Sequence, residues 1–199
     1  FVGIDVILIT LFIIIIVLTR SKSSGSGDDE EEGIDESKVR GEITCQYEID
    51  DSKSQTPILG RDFDKPENFY ILVDNKQIGF FRDYKFSKAG THTLRFVFYN
   101  SEVNLDYMFK GIKSLITAEL LSSKNVAITS MKSTFENCNN LQKFNITGYD
   151  LTKTKSAEKF FYGANNLIDI NLDLFENSNI EDMSYFFAMS DLSEIDISK

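Results

Sequence analysis

NLDYMFKGIKSL (104–115), MKSTFENCNNLQKFNI (131–146), AEKFFYGANNLIDINL (157–172) and MSYFFAMSDLSEIDI (183–197) are four versions of one pattern, and this stretch decides the fold. A phenylalanine recurs every 26 residues, at Phe109, Phe135, Phe161 and Phe187. A leucine follows each phenylalanine, and an apolar pair closes each unit. Several apolar columns that keep one period indicate a true repeat, because chance matches only single positions.

The spacing inside one unit predicts its secondary structure. Met131 and Phe135 lie four residues apart, which places both side chains on one face of a helix. Leu141, Phe144 and Ile146 follow the spacing L-x-x-L-x-L, which is typical of a short strand. Each repeat is therefore predicted to be a short helical or irregular segment followed by a strand. A period in the twenties with this strand pattern is typical of a leucine-rich-repeat solenoid, an α/β repeat fold.

The repeat pattern M-x-x-x-F-x-x-x-x-x-L, with phrases such as MSYFF and FENCNNLQKFNI, resembles the BspA-type leucine-rich-repeat surface proteins of bacteria and protists. The resemblance covers about the last half of the chain, and the stretch before it resembles the lead-in of some protist members. The first copy departs from the pattern, with Ala118 where an aromatic residue or isoleucine is usual. The resemblance implies a surface-exposed binding or adhesion protein, but it names no ligand.

The rest of the chain divides by composition. Residues 2–18 are apolar except for Asp5 and Thr10, and about 26 Å of helix predicts a transmembrane helix over 1–19. A signal-peptide core or a buried strand is the alternative. Residues 20–38 are rich in serine, glycine and acidic residues and predict a flexible linker rather than a calcium loop.

Residues 39–103 predict a small β unit that covers the first repeat, with an independent ligand-binding domain as the alternative. ITCQYEI (43–49) and THTLRFVFY (91–99) alternate apolar and polar residues, and FYILV (69–73) and IGFF (78–81) flank a four-residue hairpin loop. The repeats then fill residues 104–199. We expect the stack to be incomplete there, because stacks of this kind need capped ends.

Composition argues against several functions. The formal charge of −10 argues against nucleic-acid binding, which needs a basic surface. The two cysteines, Cys45 and Cys138, lie in apolar columns, and His92 lies at a strand start beside apolar residues. Phosphate-binding loops, metal-ligand spacings and hydrolase motifs are absent from the sequence. We therefore expect no enzyme activity, no cofactor and no metal site.

The predicted strands suggest one binding surface, because the residues between the buried ones point outward and stack from repeat to repeat. The predicted partner-binding residues are Thr117, Glu119, Lys143, Asn145, Asp169, Asn171, Asp173, Glu194 and Asp196. An acidic, polar surface favours a polar or basic protein partner, although it also fits the merely solvated side of a sheet. Asn145-Ile146-Thr147 is a glycosylation sequon, but a glycan there would block this face.

Two functions fit these features. The first is a membrane-anchored, single-pass surface protein whose extracellular repeats mediate recognition or adhesion. The second is a membrane-tethered intracellular scaffold or subunit, which is favoured by Arg20 and Lys22 directly after the apolar stretch, since basic flanks prefer the cytoplasm.

Overall fold

The computed structural model describes residues 33–191, and these residues build a mostly β structure. Eleven strands and one 3₁₀ helix, Asp173–Asn177, occur in chain order. The strands are β1 (Gly41–Ile49), β2 (Thr56–Pro57), β3 (Phe69–Val73), β4 (Lys76–Ile78), β5 (Asp83–Tyr84), β6 (Gly90–Phe98), β7 (Glu102–Asn104), β8 (Leu115–Ser122), β9 (Ala127–Ser130), β10 (Lys143–Thr147) and β11 (Asp169–Ile170).

Seven strands form one mixed sheet in the order β11-β10-β8-β1-β6-β3-β4. The pairs β11–β10 and β10–β8 are parallel, and the remaining pairs are antiparallel. Strand β1 lies at the centre and presents Ile43, Cys45 and Tyr47 to the core, as its alternating sequence predicts. Because β1 pairs with β8, one sheet joins the predicted lead-in to the predicted repeats.

A second parallel ladder runs along another side of the repeats. Strands β7 and β9 pair with Val103 opposite Ile128. Single bridges continue this ladder, first between Ala127 and Asp150 and then between Ser156 and Asp182. Each repeat therefore contributes hydrogen bonds to more than one side of the stack.

The segments that the sequence predicts as helical or irregular are turns. Two positions in every repeat have a left-handed backbone, with φ between 54° and 76°. They are Tyr107, Ser133, Lys159 and Tyr185 at the first position, and Gly111, Asn137, Gly163 and Met189 at the second. A left-handed residue every few positions interrupts a right-handed helix. The predicted α/β leucine-rich-repeat solenoid is therefore wrong, and the described fold is a mixed β-sheet structure with turns.

Backbone hydrogen bonds join each of these turns to its counterpart in the following repeat. The N–H groups of Phe109, Phe135 and Phe161 donate to the carbonyls of residues 134, 160 and 186, each at 2.9 Å. The turns thus stack in register without helices. A four-residue apolar step fits such a turn as well as it fits a helix, which explains the wrong prediction.

The core follows the repeat as the sequence predicts. The rings of Phe109, Phe135, Phe161 and Phe187 form one stack, with successive centroids 5.3, 5.6 and 5.6 Å apart. The leucine column is buried as well. Aromatic pairs of this kind add to the stabilisation from buried apolar area. The predicted register of the repeat is therefore confirmed.

The membrane prediction is corrected. Within residues 33–191, none of the helical segments has the length and apolar character that a bilayer crossing requires. The predicted span over 2–18 and the linker up to residue 32 lie outside the described residues. The structure gives no support to a single-pass membrane localisation, and we withdraw that assignment.

Candidate protein-binding face

The structure brings five of the predicted binding residues together on the outward side of the sheet. Lys143 on β10 lies opposite Thr117 on β8 and Asp169 on β11. Asn145 on β10 lies opposite Glu119 on β8. Directly opposite residues of paired strands share a face. The inward neighbours on the same strands belong to the buried core.

The remaining predicted residues lie elsewhere. Asn171 follows β11, and its side-chain Nδ2 donates to Asn145 Oδ1 at 2.9 Å. Asp173 begins the 3₁₀ helix, and its N–H donates to Asn171 Oδ1 at 2.9 Å. Glu194 and Asp196 lie outside the described residues. The Asn145 carboxamide therefore belongs to a ladder between repeats, and the expectation that this sequon is not glycosylated stays a prediction.

The charged residues of this face differ in whether they form an ion pair. Lys143 Nζ lies 3.1 Å from Asp169 Oδ2, so these two charges largely neutralise each other. Glu119 is exposed, and in the described part of the chain no hydrogen bond or ion pair engages its carboxylate. The face therefore carries one free negative charge beside hydroxyl and amide groups.

The sheet extends this face beyond the repeats. Thr44 on β1 lies between Glu119 on β8 and Arg95 on β6, and Gln46 lies next to Thr117. The alternation in ITCQYEI and THTLRFVFY does predict that these side chains point outward. Pattern alone does not tell which strands are neighbours, so the sequence analysis missed this extension.

Arg95 is fixed in place on the extended face. Its Nε and Nη2 donate to the two carboxylate oxygens of Glu42 at 2.6 and 2.5 Å. Glu36 Oε1 lies 3.6 Å from Arg95 Nη2. Burial lowers the pKa of Arg95, but the hydrogen bonds and charges of Glu42 and Glu36 outweigh that effect and raise the pKa above its ordinary value. A two-pronged pair of this kind holds its geometry strongly.

The β6 half of the outward face is covered. Leu72 and Val97 point outward with Arg95, yet both are buried. The segment before β1 lies on this half, where Asp35 N–H donates to the Tyr99 hydroxyl at 2.8 Å. Glu48 and Thr91, which lie opposite each other on β1 and β6, are exposed as well. The accessible part next to the repeats is formed by β8, β10 and β11 together with Gln46. We call this part the open strand face.

The residues most often used in catalysis are buried. Cys138 Sγ donates to the Phe109 carbonyl at 2.9 Å, and burial raises the pKa of both Cys45 and Cys138. His92 Nδ1 lies 2.6 Å from Asp74 Oδ2, and its Nε2 lies 3.0 Å from the Lys88 carbonyl. Within residues 33–191, no group of three or more His, Cys, Asp or Glu side chains could hold a metal ion.

Comparison with known proteins identifies one family. Neither a curated protein nor a solved structure matches this chain. A family model matches residues 85–199, which covers β6 to β11, all turns of the stack and the whole open strand face apart from Gln46. This match spans more than half of the sequence, so the chain belongs to the family described as "Mycoplasma protein of unknown function, DUF285".

Proposed function

We propose that the chain is a protein-recognition module of the BspA-like surface type, and that its open strand face binds a polar or basic protein partner. The observation that carries this proposal is the exposed, unpaired carboxylate of Glu119 in the middle of an ordered sheet surface. Strands on both sides hold its position. A rigid, hydrogen-bonding surface loses little conformational entropy when a partner docks.

Charge favours a basic partner. The chain carries a formal charge of −10, which steers cationic surfaces toward it. On the open strand face, Lys143 is neutralised by Asp169, so Glu119 dominates the local charge. Thr117 and Asn145 on either side of Glu119 offer hydrogen bonds that fix the orientation of the partner.

Binding fits the chain better than catalysis does. The single histidine and both cysteines are buried and hydrogen-bonded or packed in the core. A raised thiol pKa keeps the two cysteines protonated and poorly nucleophilic. These features support a recognition role.

The test is a comparison of proteins captured from extracts by the full chain, by Glu119→Lys and by Glu67→Lys. Glu67 is an exposed residue between β2 and β3, so its substitution changes the net charge as much but leaves the open strand face intact. We expect Glu119→Lys to lose a specific partner that the other two proteins retain. Capture should also weaken with salt, because exposed charges are screened within about 8 Å at physiological ionic strength.

Identical capture by all three proteins would show that the open strand face is only solvated surface. Equal loss by Glu67→Lys and Glu119→Lys would show attraction by net charge alone. Circular dichroism and thermal melting of each variant control for unfolding, since neither side chain belongs to the core.

A further inference from the structure

The outward side of β1 carries a second exposed carboxylate. Glu42, Thr44, Gln46 and Glu48 alternate with the buried residues of this strand, so their side chains share the outward side of the sheet. Glu48 is exposed, and its Oε2 accepts a hydrogen bond from Thr91 Oγ1 at 2.7 Å. Among the residues that the structure describes, Glu48 has no ion-pair partner.

Glu48 and Glu119 lie at the two ends of one strip of this surface. Between them, Gln46 on β1 lies opposite Thr117 on β8. Because the two strands are antiparallel, Glu48 lies beyond this pair in one direction and Glu119 lies beyond it in the other. The strand rise and the spacing between strands place the Cα atoms of the two glutamates about 14 Å apart. We call Glu48, Gln46, Thr117 and Glu119 the diagonal strip.

The basic residues beside the diagonal strip are already paired. Lys143 Nζ lies 3.1 Å from Asp169 Oδ2, and the Arg95 guanidinium donates to both carboxylate oxygens of Glu42. The sheet therefore leaves the two carboxylates of the strip without a compensating cation in the described part of the chain. One carboxylate comes from the lead-in and the other from the first repeat, so the last described turn takes no part in the strip.

We propose that the diagonal strip binds an extended polypeptide segment with two basic side chains four residues apart. The proposal rests on the proposed function, since Glu119 belongs to the open strand face, and it adds the conformation of the partner and the spacing of its charges. In an extended segment, residues i and i+4 point to the same side and lie about 13 Å apart. This distance matches the separation of Glu48 and Glu119.

The spacing distinguishes an extended partner from a helical one. In a helix, residues i and i+4 lie only about 6 Å apart along the axis, so the same two side chains do not reach both carboxylates. The Gln46 amide and the Thr117 hydroxyl lie between the two charges and offer hydrogen bonds to the residues between the basic ones. Opposite charges at matched positions set the register of a partner more than they set its total affinity.

The test uses short peptides of serine and threonine that carry two arginines. One peptide has the arginines four residues apart, and the other has the same composition with the arginines two residues apart. Each is titrated into the full chain at low salt, and binding is followed by amide chemical shifts. We expect the four-residue spacing to bind at least about threefold tighter, which corresponds to about 0.7 kcal/mol. An exposed ion pair contributes about this much.

Three variants of the full chain locate the site. Glu48→Gln and Glu119→Gln remove one charge each and keep the shape of the side chain, so each should abolish the preference for the four-residue spacing. Glu67→Gln is the matched control, because Glu67 is exposed but lies between β2 and β3. This control should keep the full preference. The preference should also decrease with salt, as the exposed charges are screened.

Equal affinity for the two peptides would overturn the proposal, and so would a preference that survives both Glu48→Gln and Glu119→Gln. Failure of both peptides to bind would overturn it as well. These results are distinguishable from a failure of the proposed function. If Glu119→Lys still loses a captured protein while the peptides show no spacing preference, the open strand face binds a partner and only the extended, two-charge ligand is wrong.

Discussion

At the first turn of the stack, a loop from the lead-in lies against the backbone of Tyr107 and Met108, whereas at residues 183–190 no described residue takes the equivalent place. The loop contributes Ile58, Leu59 and Phe63, all buried. The Tyr47 hydroxyl anchors this loop through the Ile58 carbonyl at 2.8 Å. The first turn is therefore closed by residues outside the repeat pattern, whereas each later turn of the stack is covered by the turn that follows it.

The first prediction breaks the contact between the lead-in loop and the first turn. A Cβ added to Gly60 would lie 1.9 Å from the Tyr107 carbonyl oxygen, which the backbone holds in place. Gly60→Ala must therefore push the loop away from the first turn and break the Gly60–Met108 hydrogen bond. We expect a loss of roughly 3 kcal/mol or more in unfolding free energy, measured by urea denaturation.

Gly33→Ala is the control for this prediction, because a Cβ at Gly33 meets no atom within 4 Å. Gly33→Ala should leave the midpoint of urea denaturation unchanged. If Gly60→Ala were as stable as the wild type, the loop would not close the stack.

The second prediction compares the same side chain in the middle and at the open end of the ring stack. Phe161 is fully buried between Phe135 and Phe187, so Phe161→Ala should cost roughly 3–5 kcal/mol. Phe187 has a ring partner of the stack on one side only, so Phe187→Ala should cost roughly half as much or less. Urea denaturation measures both. Equal losses would mean that the ring stack is as well packed at Phe187 as at Phe161.

The third prediction compares two ion pairs on the sheet. Arg95 and Glu42, near the lead-in, are 11% and 19% exposed, whereas Lys143 and Asp169, near the open end, are 58% and 65% exposed. Glu42→Gln should cost about 2 kcal/mol, because it removes charge-assisted hydrogen bonds from a largely buried guanidinium. Asp169→Asn should cost below about 0.5 kcal/mol. Similar losses from both substitutions would show that burial does not make the Arg95–Glu42 pair the more stabilising one.

The fourth prediction concerns acid and has the smallest expected effect. Burial raises the pKa of Asp74, but hydrogen bonds from His92 and the Thr93 N–H outweigh it and hold the pKa below the ordinary 3.8. A depressed carboxyl pKa gives stability that is complete above the unfolded-state value and is lost as the pH falls through the folded-state value. Asp74 is 51% exposed, so this stability is below about 1 kcal/mol.

The measurement is the unfolding free energy of the wild type and of Asp74→Asn from neutral to acidic pH. The difference between them should be constant near neutral pH and should shrink as the pH falls below 3.8. A difference that grows in acid would contradict the assigned pair.

The sequence predicted the core of the repeat but not the shape of its turns. The 26-residue spacing of the phenylalanines corresponds to one repeat of the structure, because their rings stack directly on one another. The second left-handed position does have a sequence signal: Gly111, Asn137 and Gly163 share one column, and glycine and asparagine tolerate that backbone best. The four-residue apolar step also fits a helix, because spacing alone does not determine the backbone conformation.

The hairpin between β3 and β4 is a second turn whose shape the sequence pattern did not predict. The sequence predicted a four-residue loop, yet only Asp74 and Asn75 have positive φ, and Lys76 and Gln77 already belong to β4. The binding face was partly predictable, because alternation gives the outward residues of each strand. The contact of Glu42 with Arg95 was not, since strand order depends on pairing between distant parts of the chain.

The hydrogen bonds between successive turns have a consequence for how such a gene can change in length. Inserting or deleting one residue inside a repeat would put the N–H groups of that repeat out of register with the carbonyls of the neighbouring turn and turn part of its apolar residues out of the core. Duplication or loss of a complete 26-residue unit preserves all of these contacts. Family members of different size are therefore expected to differ by whole repeats, and a survey of their lengths between equivalent phenylalanines would check this.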